Sequence, residues 1–268
     1  MKKGKIIALI VAGVLVIAGI FLVVMGLSLA KSKPKERTLN QQEILIQESF
    51  ESIQINTKDC DVSVLPHEGT ACVTIREMDG VNHSVLVEAG VLKIQMNDQR
   101  KWTDYVGIFH VFDNWESMKM TVYLPAAEYA SVQVRTETGD ITLGQEPFFA
   151  AMTLRSETGD ISCVGVMGDV LDCMTSTGDI SVQNSAPNRT KLHSDTGDLH
   201  VQGVAGDEIH LKTNTGEVIG KKSSARMVTC SSDTGDVELE GVLVEDYLQI
   251  FTNTGEVGIE NCDAGREH

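Results

Sequence analysis

The sequence predicts an all-β protein, a right-handed β-solenoid of about 19-residue TGD coils, preceded by one N-terminal transmembrane helix. Three observations predict it. Residues 6–30 form an uncharged, mostly apolar run of 25 residues. Seven units of the form [ST]-x-T-G-[DE] recur, with Gly139, Gly159, Gly178, Gly197, Gly216, Gly235 and Gly255 spaced 20, 19, 19, 19, 19 and 20 apart. Around each of these glycines apolar and polar residues alternate with period two, the signature of half-buried strands.

After a five-residue tail (1–5), the run at 6–30 is long enough to cross a hydrocarbon core of ~30 Å at ~1.5 Å rise per residue. A cleaved secretory signal is the competing reading, with Lys2, Lys3 and Lys5 before the run and Ser28-Leu29-Ala30 as a small-x-small site. Signal cores are shorter, about 7–15 residues. Either reading exports the body, so the expectation is a single-pass cell-membrane protein whose body is extracytoplasmic. Residues 31–48 follow as a basic and polar linker, with Lys31, Lys33, Lys35 and Arg37 near anionic headgroups.

Within the repeats, counted from each glycine, positions −7, −5, +2 and +4 are apolar or Cys in 26 of 28 cases, the exceptions being Thr190 and Gly220. Positions −6, −4 and +3 are apolar in three of 21 (Met174, Phe251 and Ile219). Two strands per repeat, joined by the TG corner, follow from that pattern. One copy buries too few side chains to offset its chain entropy, whereas a stack of copies succeeds. An antiparallel β meander, with each TGD as a hairpin turn, is the rival architecture. In-register stacking accounts better for the ladders of like residues: Ser or Thr at −3, Thr at −1, and an acid at +1 (Asp140, Asp160, Asp179, Asp198, Glu217, Asp236 and Glu256). In that arrangement Gly supplies the corner, Thr hydroxyls bond along the stack, and the carboxylates accept backbone N–H groups of the turn.

Regular repeats occupy 126–260, and 261–268 forms a tail. Residues 52–64 fit the same template with Cys60 in place of the Gly, and 49–125 reads as a divergent β region that caps one end. Lacking an evident cap at the other end, the stack is expected to offer strand edges for end-to-end self-association.

The membrane anchor, the passage MTVYLPAAEYASVQVRTETGDITL and the seven units together resemble the bacterial putative-adhesin family, a membrane-anchored β-strand-repeat domain of unknown function. The resemblance covers about 50–260. It implies a bacterial envelope protein, implies for some relatives an accessory role in cell-envelope stress systems, and implies no catalytic residues.

Composition narrows the chemistry. The formal charge is −16, with 22 Lys and Arg against 38 Asp and Glu, which excludes a nucleic-acid binder. Residues 1–37 hold seven basic residues and one acid (7 − 1 = +6), so the body holds 15 and 37 (15 − 37 = −22). Stacked acids at the +1 corner are read first as turn chemistry, then as a divalent-cation or cationic-partner site. The Gly-Gly-x-Gly-x-Asp signature of Ca²⁺-binding β-rolls is absent from the sequence. Trp102, Tyr105, Phe109, Phe112 and Trp115 gather five of the 13 aromatics, as a cap over the stack, a ligand or glycan platform, or an interfacial membrane contact. His193, His200 and His210 fall at outward positions. Cys163, Cys173 and Cys230 occupy inward columns as small hydrophobes, and Cys60 with Cys72, across an expected hairpin, is the better disulfide candidate. No CxxC, GxSxG, HExxH or P-loop occurs. The expected function is non-catalytic binding or scaffolding at the cell envelope, adhesin-like and without cofactor. Its partners are the bilayer through 6–30 and either an envelope polymer or a membrane protein. An accessory regulator of an envelope stress response is the alternative, and an enzyme acting on surface polysaccharide comes third.

Overall fold

Alternation at every second residue, carried in register from copy to copy, builds two facing sheets in the computed structural model, which describes residues 39–78, 80–99 and 117–264. The expected membrane span at 6–30 and the aromatics Trp102, Tyr105, Phe109, Phe112 and Trp115 lie outside the described residues. Among the described residues no helix is long and apolar enough to cross a membrane.

The seven coils each consist of a long and a short strand. They are β8 (Glu128–Thr138) with β9 (Ile141–Leu143), β10 (Phe148–Thr158) with β11 (Ile161–Val164), and β12 (Met167–Thr177) with β13 (Ile180–Gln183). Next come β14 (Ala186–Thr196) with β15 (Leu199–Gln202), and β16 (Ala205–Thr215) with β17 (Val218–Lys221). β18 (Ser224–Thr234) with β19 (Val237–Glu240), and β20 (Leu243–Thr254) with β21 (Val257–Glu260), complete the set, and β22 (Asp263–Ala264) adds two residues. From one of the seven coils to the next, long strand pairs with long and short with short, always in parallel, as in β12 with β14 and β13 with β15. That is a right-handed β-solenoid of seven turns rather than a meander. The two 20-residue steps have separate causes. Between β9 and β10 the connection is longer, and in β20 an extra residue makes a bulge against β18, where the register shifts between Ala225 and Met227.

Inward columns from both sheets merge into one apolar core running from Ile46 to Val244. At ~1.5–3 kcal/mol for each buried aliphatic side chain, this column is the main source of stability. Both sequence exceptions keep their place: Thr190 is fully buried in its column, and a Cβ at Gly220 would lie 2.7 Å from Leu239 Cδ2. All six cysteines are free thiols in this structure, and the Cys163 and Cys173 side chains meet across the core.

The preceding strands are β1 (Leu39–Leu45), β2 (Ser52–Asn56), β3 (Cys60–Pro66), β4 (Cys72–Met78), β5 (Val81–Glu88), β6 (Val91–Asp98) and β7 (Met118–Leu124). β2 and β3 stack in parallel on β8 and β9, so the degenerate copy is a coil that continues the stack. β6 and β7 lie in parallel beyond it. β4 pairs antiparallel with β7, β5 with β6, and β1 with β4, so the strand direction alternates at that end. The expected β3–β4 hairpin does not form, because β7 lies between them and pairs with both. That removes the reason for linking Cys60 to Cys72, since proximity in sequence across a turn is not proximity across a sheet. At the opposite end the inward columns open to solvent: Val257 and Ile259 are 47% and 52% exposed, whereas their counterparts one coil earlier, Val237 and Leu239, are 0% and 2%.

Candidate binding face

Each corner is locked to the next coil by three kinds of bond. The hydroxyl at −3 is buried and donates to the corner-glycine carbonyl of the preceding coil, as in Ser194 Oγ to Gly178 O at 3.0 Å and Thr213 Oγ1 to Gly197 O at 2.9 Å. The glycine N–H donates to the Thr carbonyl of the following coil, as in Gly197 to Thr215 at 2.9 Å. The carboxylate at +1 accepts the backbone N–H of the acid one coil on: Asp140 from Asp160 at 2.9 Å, Asp160 from Asp179 at 2.8 Å, Asp179 from Asp198 at 2.8 Å, and Asp198 from Glu217 at 2.7 Å. Asp236 accepts likewise from Glu256 at 2.7 Å, and Asp61 of the degenerate copy begins the series by accepting from Asp140 at 3.2 Å. Bonds therefore run between coils rather than within a turn, and only Asp carboxylates act as acceptors. Among the described residues no three His, Cys, Asp or Glu side chains gather to hold a metal ion.

The second corner has its own device at +6, where Gly165, Asn184, Gly203, Lys222, Gly241 and Asn261 all have positive φ. Gly and Asn tolerate that conformation, and Lys222 is the exception.

The long-strand sheet presents a different surface. Its two central outward columns, −6 and −4, hold Arg135, Arg155, Lys191 and Lys212 against a single acid, Asp172. Register places Lys191 beside His210 and His193 beside Lys212. These four side chains stand at the corners of a patch ~4.8 Å by ~7 Å, set by strand spacing and the two-residue repeat. They line a shallow groove of about 610 Å³ that also includes Met174, Thr229 and Ser231. Arg135 is paired with Glu157 at 3.2 Å, and Arg155 with Asp172. Arg189 holds Glu208 at 2.7 Å and, with His210, draws its carboxyl below the usual carboxylate range. Lys191 and Lys212 make no ion pair among the described residues. His193 Nδ1 donates to the Lys212 carbonyl at 3.2 Å and its Nε2 lies 3.3 Å from Asp195, while His210 Nδ1 lies 2.6 Å from Thr229 Oγ1. His200, by contrast, stands on the short-strand sheet, so only two of the three outward histidines come together.

A polar cluster that sequence patterning did not suggest lies buried at the N-terminal end. Glu77 Oε1 accepts from the His83 backbone N–H at 2.6 Å and meets His83 Nδ1 at 2.8 Å; His83 Nε2 meets Thr57 Oγ1 at 3.0 Å; Gln42 Nε2 donates to Glu77 Oε2 at 3.2 Å. The order hydroxyl, imidazole, carboxylate is that of a nucleophile relay, but Thr57, His83 and Glu77 are 7%, 6% and 6% exposed, leaving no room for a substrate at the hydroxyl. The only hint in the sequence is Thr57 at the −3 position of a copy lacking its glycine.

The Toastrack DUF4097 family model matches residues 50–261. No curated protein matches the chain. Among solved structures, a putative adhesin from Bacteroides fragilis is similar with a TM-score of 0.55 at 13% identity, over 85% of this chain and 98% of that one. A putative adhesin from Parabacteroides distasonis is similar at 0.45 and 12%, over 84% and 97%. A putative lipid binding protein from the same species is similar at 0.44 and 13%, over 82% and 96%.

Proposed function

The chain belongs to the Toastrack DUF4097 family, and on that premise we propose that it is an adhesin-like, non-catalytic binding or scaffold protein of the bacterial cell envelope, anchored through residues 6–30 with its body outside the membrane. The observation that carries this reading is the outer face of the long-strand sheet, where Lys191 and Lys212, without an ion pair among the described residues, line an open groove on a rigid stack. Corner carboxylates are tied to backbone N–H groups, so they serve coil stacking before any partner. A flat, repeating face of this kind suits a long partner better than a small molecule. Protease shaving of intact cells tests the topology: the body is expected to be lost while the anchor fragment stays. Purified envelope polymer is expected to sediment the full chain held in detergent micelles. Protection of the body in intact cells, or stoichiometric co-purification with one membrane protein and no sedimentation with polymer, refutes this reading in favour of a regulatory accessory.

A further inference from the structure

We propose that the cationic stripe on the outer face of the long-strand sheet binds a linear anionic glycan lying along the solenoid axis, with its acid groups on Lys191 and Lys212. This rests on the envelope-binding reading above and names its ligand class.

Lys191 and Lys212 are like charges on successive coils with no ion-pair partner among the described residues, and they repel each other unless an anion lies between them. Arg135 and Arg155 are already satisfied by acids of the next coil, so the uncompensated charge is concentrated at the two lysines. Parallel register makes them diagonal corners of the patch, on successive coils. An extended polymer crossing the coils meets one and then the other.

The flanks define the width of the ligand. Acids at −2, including Glu157, Asp195 and Asp233, border the stripe on one side; on the other Asp169 and Asp207 stand with Arg189 and Arg226, which are paired with Glu208 and Asp246. A planar anionic bilayer would press headgroups onto the acidic border, whereas a polymer one chain wide touches only the stripe. Sugar character is indicated by what surrounds the lysines. Thr229 and Ser231 offer hydroxyls in the groove, and further along the same face Tyr247 and Phe251, paired in register with Met227 and Ser231, are 50% and 51% exposed. Aromatic faces left in solvent on a polar sheet are suited to stacking against the C–H face of a sugar ring, and the hydroxyls to bonding its oxygens.

The test uses the full chain in neutral detergent micelles, titrated at fixed ionic strength with polygalacturonate, dextran sulfate, uncharged dextran, polyphosphate and phosphatidylglycerol vesicles. The expected result is saturable binding of an anionic glycan and none of dextran. Combined Lys191→Gln and Lys212→Gln is expected to weaken binding at least tenfold with an unchanged melting temperature, and Phe251→Ala to weaken glycan but not polyphosphate binding. The control pair Lys119→Gln and Lys221→Gln, on the short-strand sheet, is expected to stay within twofold of wild type. Equal affinity of the double lysine variant, or tighter binding of vesicles or polyphosphate than of either anionic glycan, overturns the proposal. Absence of binding to both anionic glycans also overturns it, and retention of the full chain by envelope polymer then leaves the broader reading standing.

Discussion

Replacing Gly197 by Ala probes the principle on which the stack is built. Gly197 has φ of +148°, in a region that residues with a Cβ rarely enter, and the strain of placing Ala there is about 1–3 kcal/mol. The added Cβ would stand 2.0 Å from the Gly178 carbonyl oxygen and 2.5 Å from its carbon. Those atoms belong to the backbone of the preceding coil, so no side-chain rotation relieves the contact. Separating the coils stretches bonds across the same interface: Ser194 Oγ to Gly178 O at 3.0 Å, Asp198 N to Asp179 Oδ1 at 2.8 Å, and Gly178 N to Thr196 O at 2.9 Å. At about 0.5–1.5 kcal/mol for each of the three bonds weakened, added to the strain, the total cost is about 2.5–7.5 kcal/mol, a large share of the ~5–15 kcal/mol typical of a folded domain. Gly203→Ala is the matched control. There φ is +65°, but the nearest atom to the new Cβ is Asn184 Oδ1 at 2.9 Å, the end of a side chain that can rotate. Its cost is about 1–2 kcal/mol, from the left-handed backbone alone. Urea denaturation of the full chain followed by circular dichroism measures both, and hydrogen exchange is expected to locate the loss at β14 to β17. A Gly197→Ala cost no larger than that of Gly203→Ala would refute the account of coil stacking through corner glycines.

Four further outcomes follow from particular residues. Thr190 Oγ1 is buried without a hydrogen-bond partner, so Thr190→Val is expected to stabilise by about 1–2 kcal/mol, read as a higher urea midpoint. Lys222 holds φ of +49° where five other coils use Gly or Asn, and Lys222→Gly is expected to raise the melting temperature by a gain of about 1 kcal/mol. His83→Leu removes the imidazole that Glu77 and Thr57 share in the buried cluster at the N-terminal end and is expected to cost about 2–4 kcal/mol, with hydrogen-exchange protection lost first in β5. Burial pushes the thiols of Cys60 and Cys230 up to about 12 from 9.0, with the charges of Asp61, Asp59 and Glu77 adding to the effect at Cys60. The folded chain keeps these protons after the unfolded chain has released them. Stability is therefore retained below pH 9 and declines between about 9 and 12, with each buried thiol contributing a slope of about 1.4 kcal/mol per pH unit. Cys230→Val is expected to remove its share of that decline, measured as the difference in urea midpoint between pH 8 and pH 11.

Positions that face the core were legible because a strand reverses its side chains at every residue and a parallel stack repeats the same column at every coil. Ile141, Ile161, Ile180 and Leu199 lie one above another as their +2 spacing implied. The acids at +1 were legible as corner chemistry, although their acceptor geometry spans coils and therefore depends on which coil lies next. The N-terminal end was less legible. Its strands do not stack in chain order: β2 pairs with β8 across more than 70 residues of chain, and β7 separates β3 from β4. Alternation in a strand records which face is buried and carries no information about which neighbour supplies the backbone partners. For the same reason Glu77, His83 and Thr57, on separate segments, formed no pattern before the antiparallel strands brought them together.

The sequence by itself determined the coil length, the inward columns and the corner residues, because these depend on local backbone sterics and on burial that repeats with each copy. Tertiary structure alone decided the charge pattern of the surface. Lys191, His193, His210 and Lys212 are separated by up to 21 positions in sequence. Only the parallel register of β14 with β16 turns them into one patch, while Arg135 and Arg155 in the same columns are neutralised by the coils beside them. Coulomb energy depends on distance in space, so a net charge summed along the chain carries no record of a positive stripe inside an acidic body.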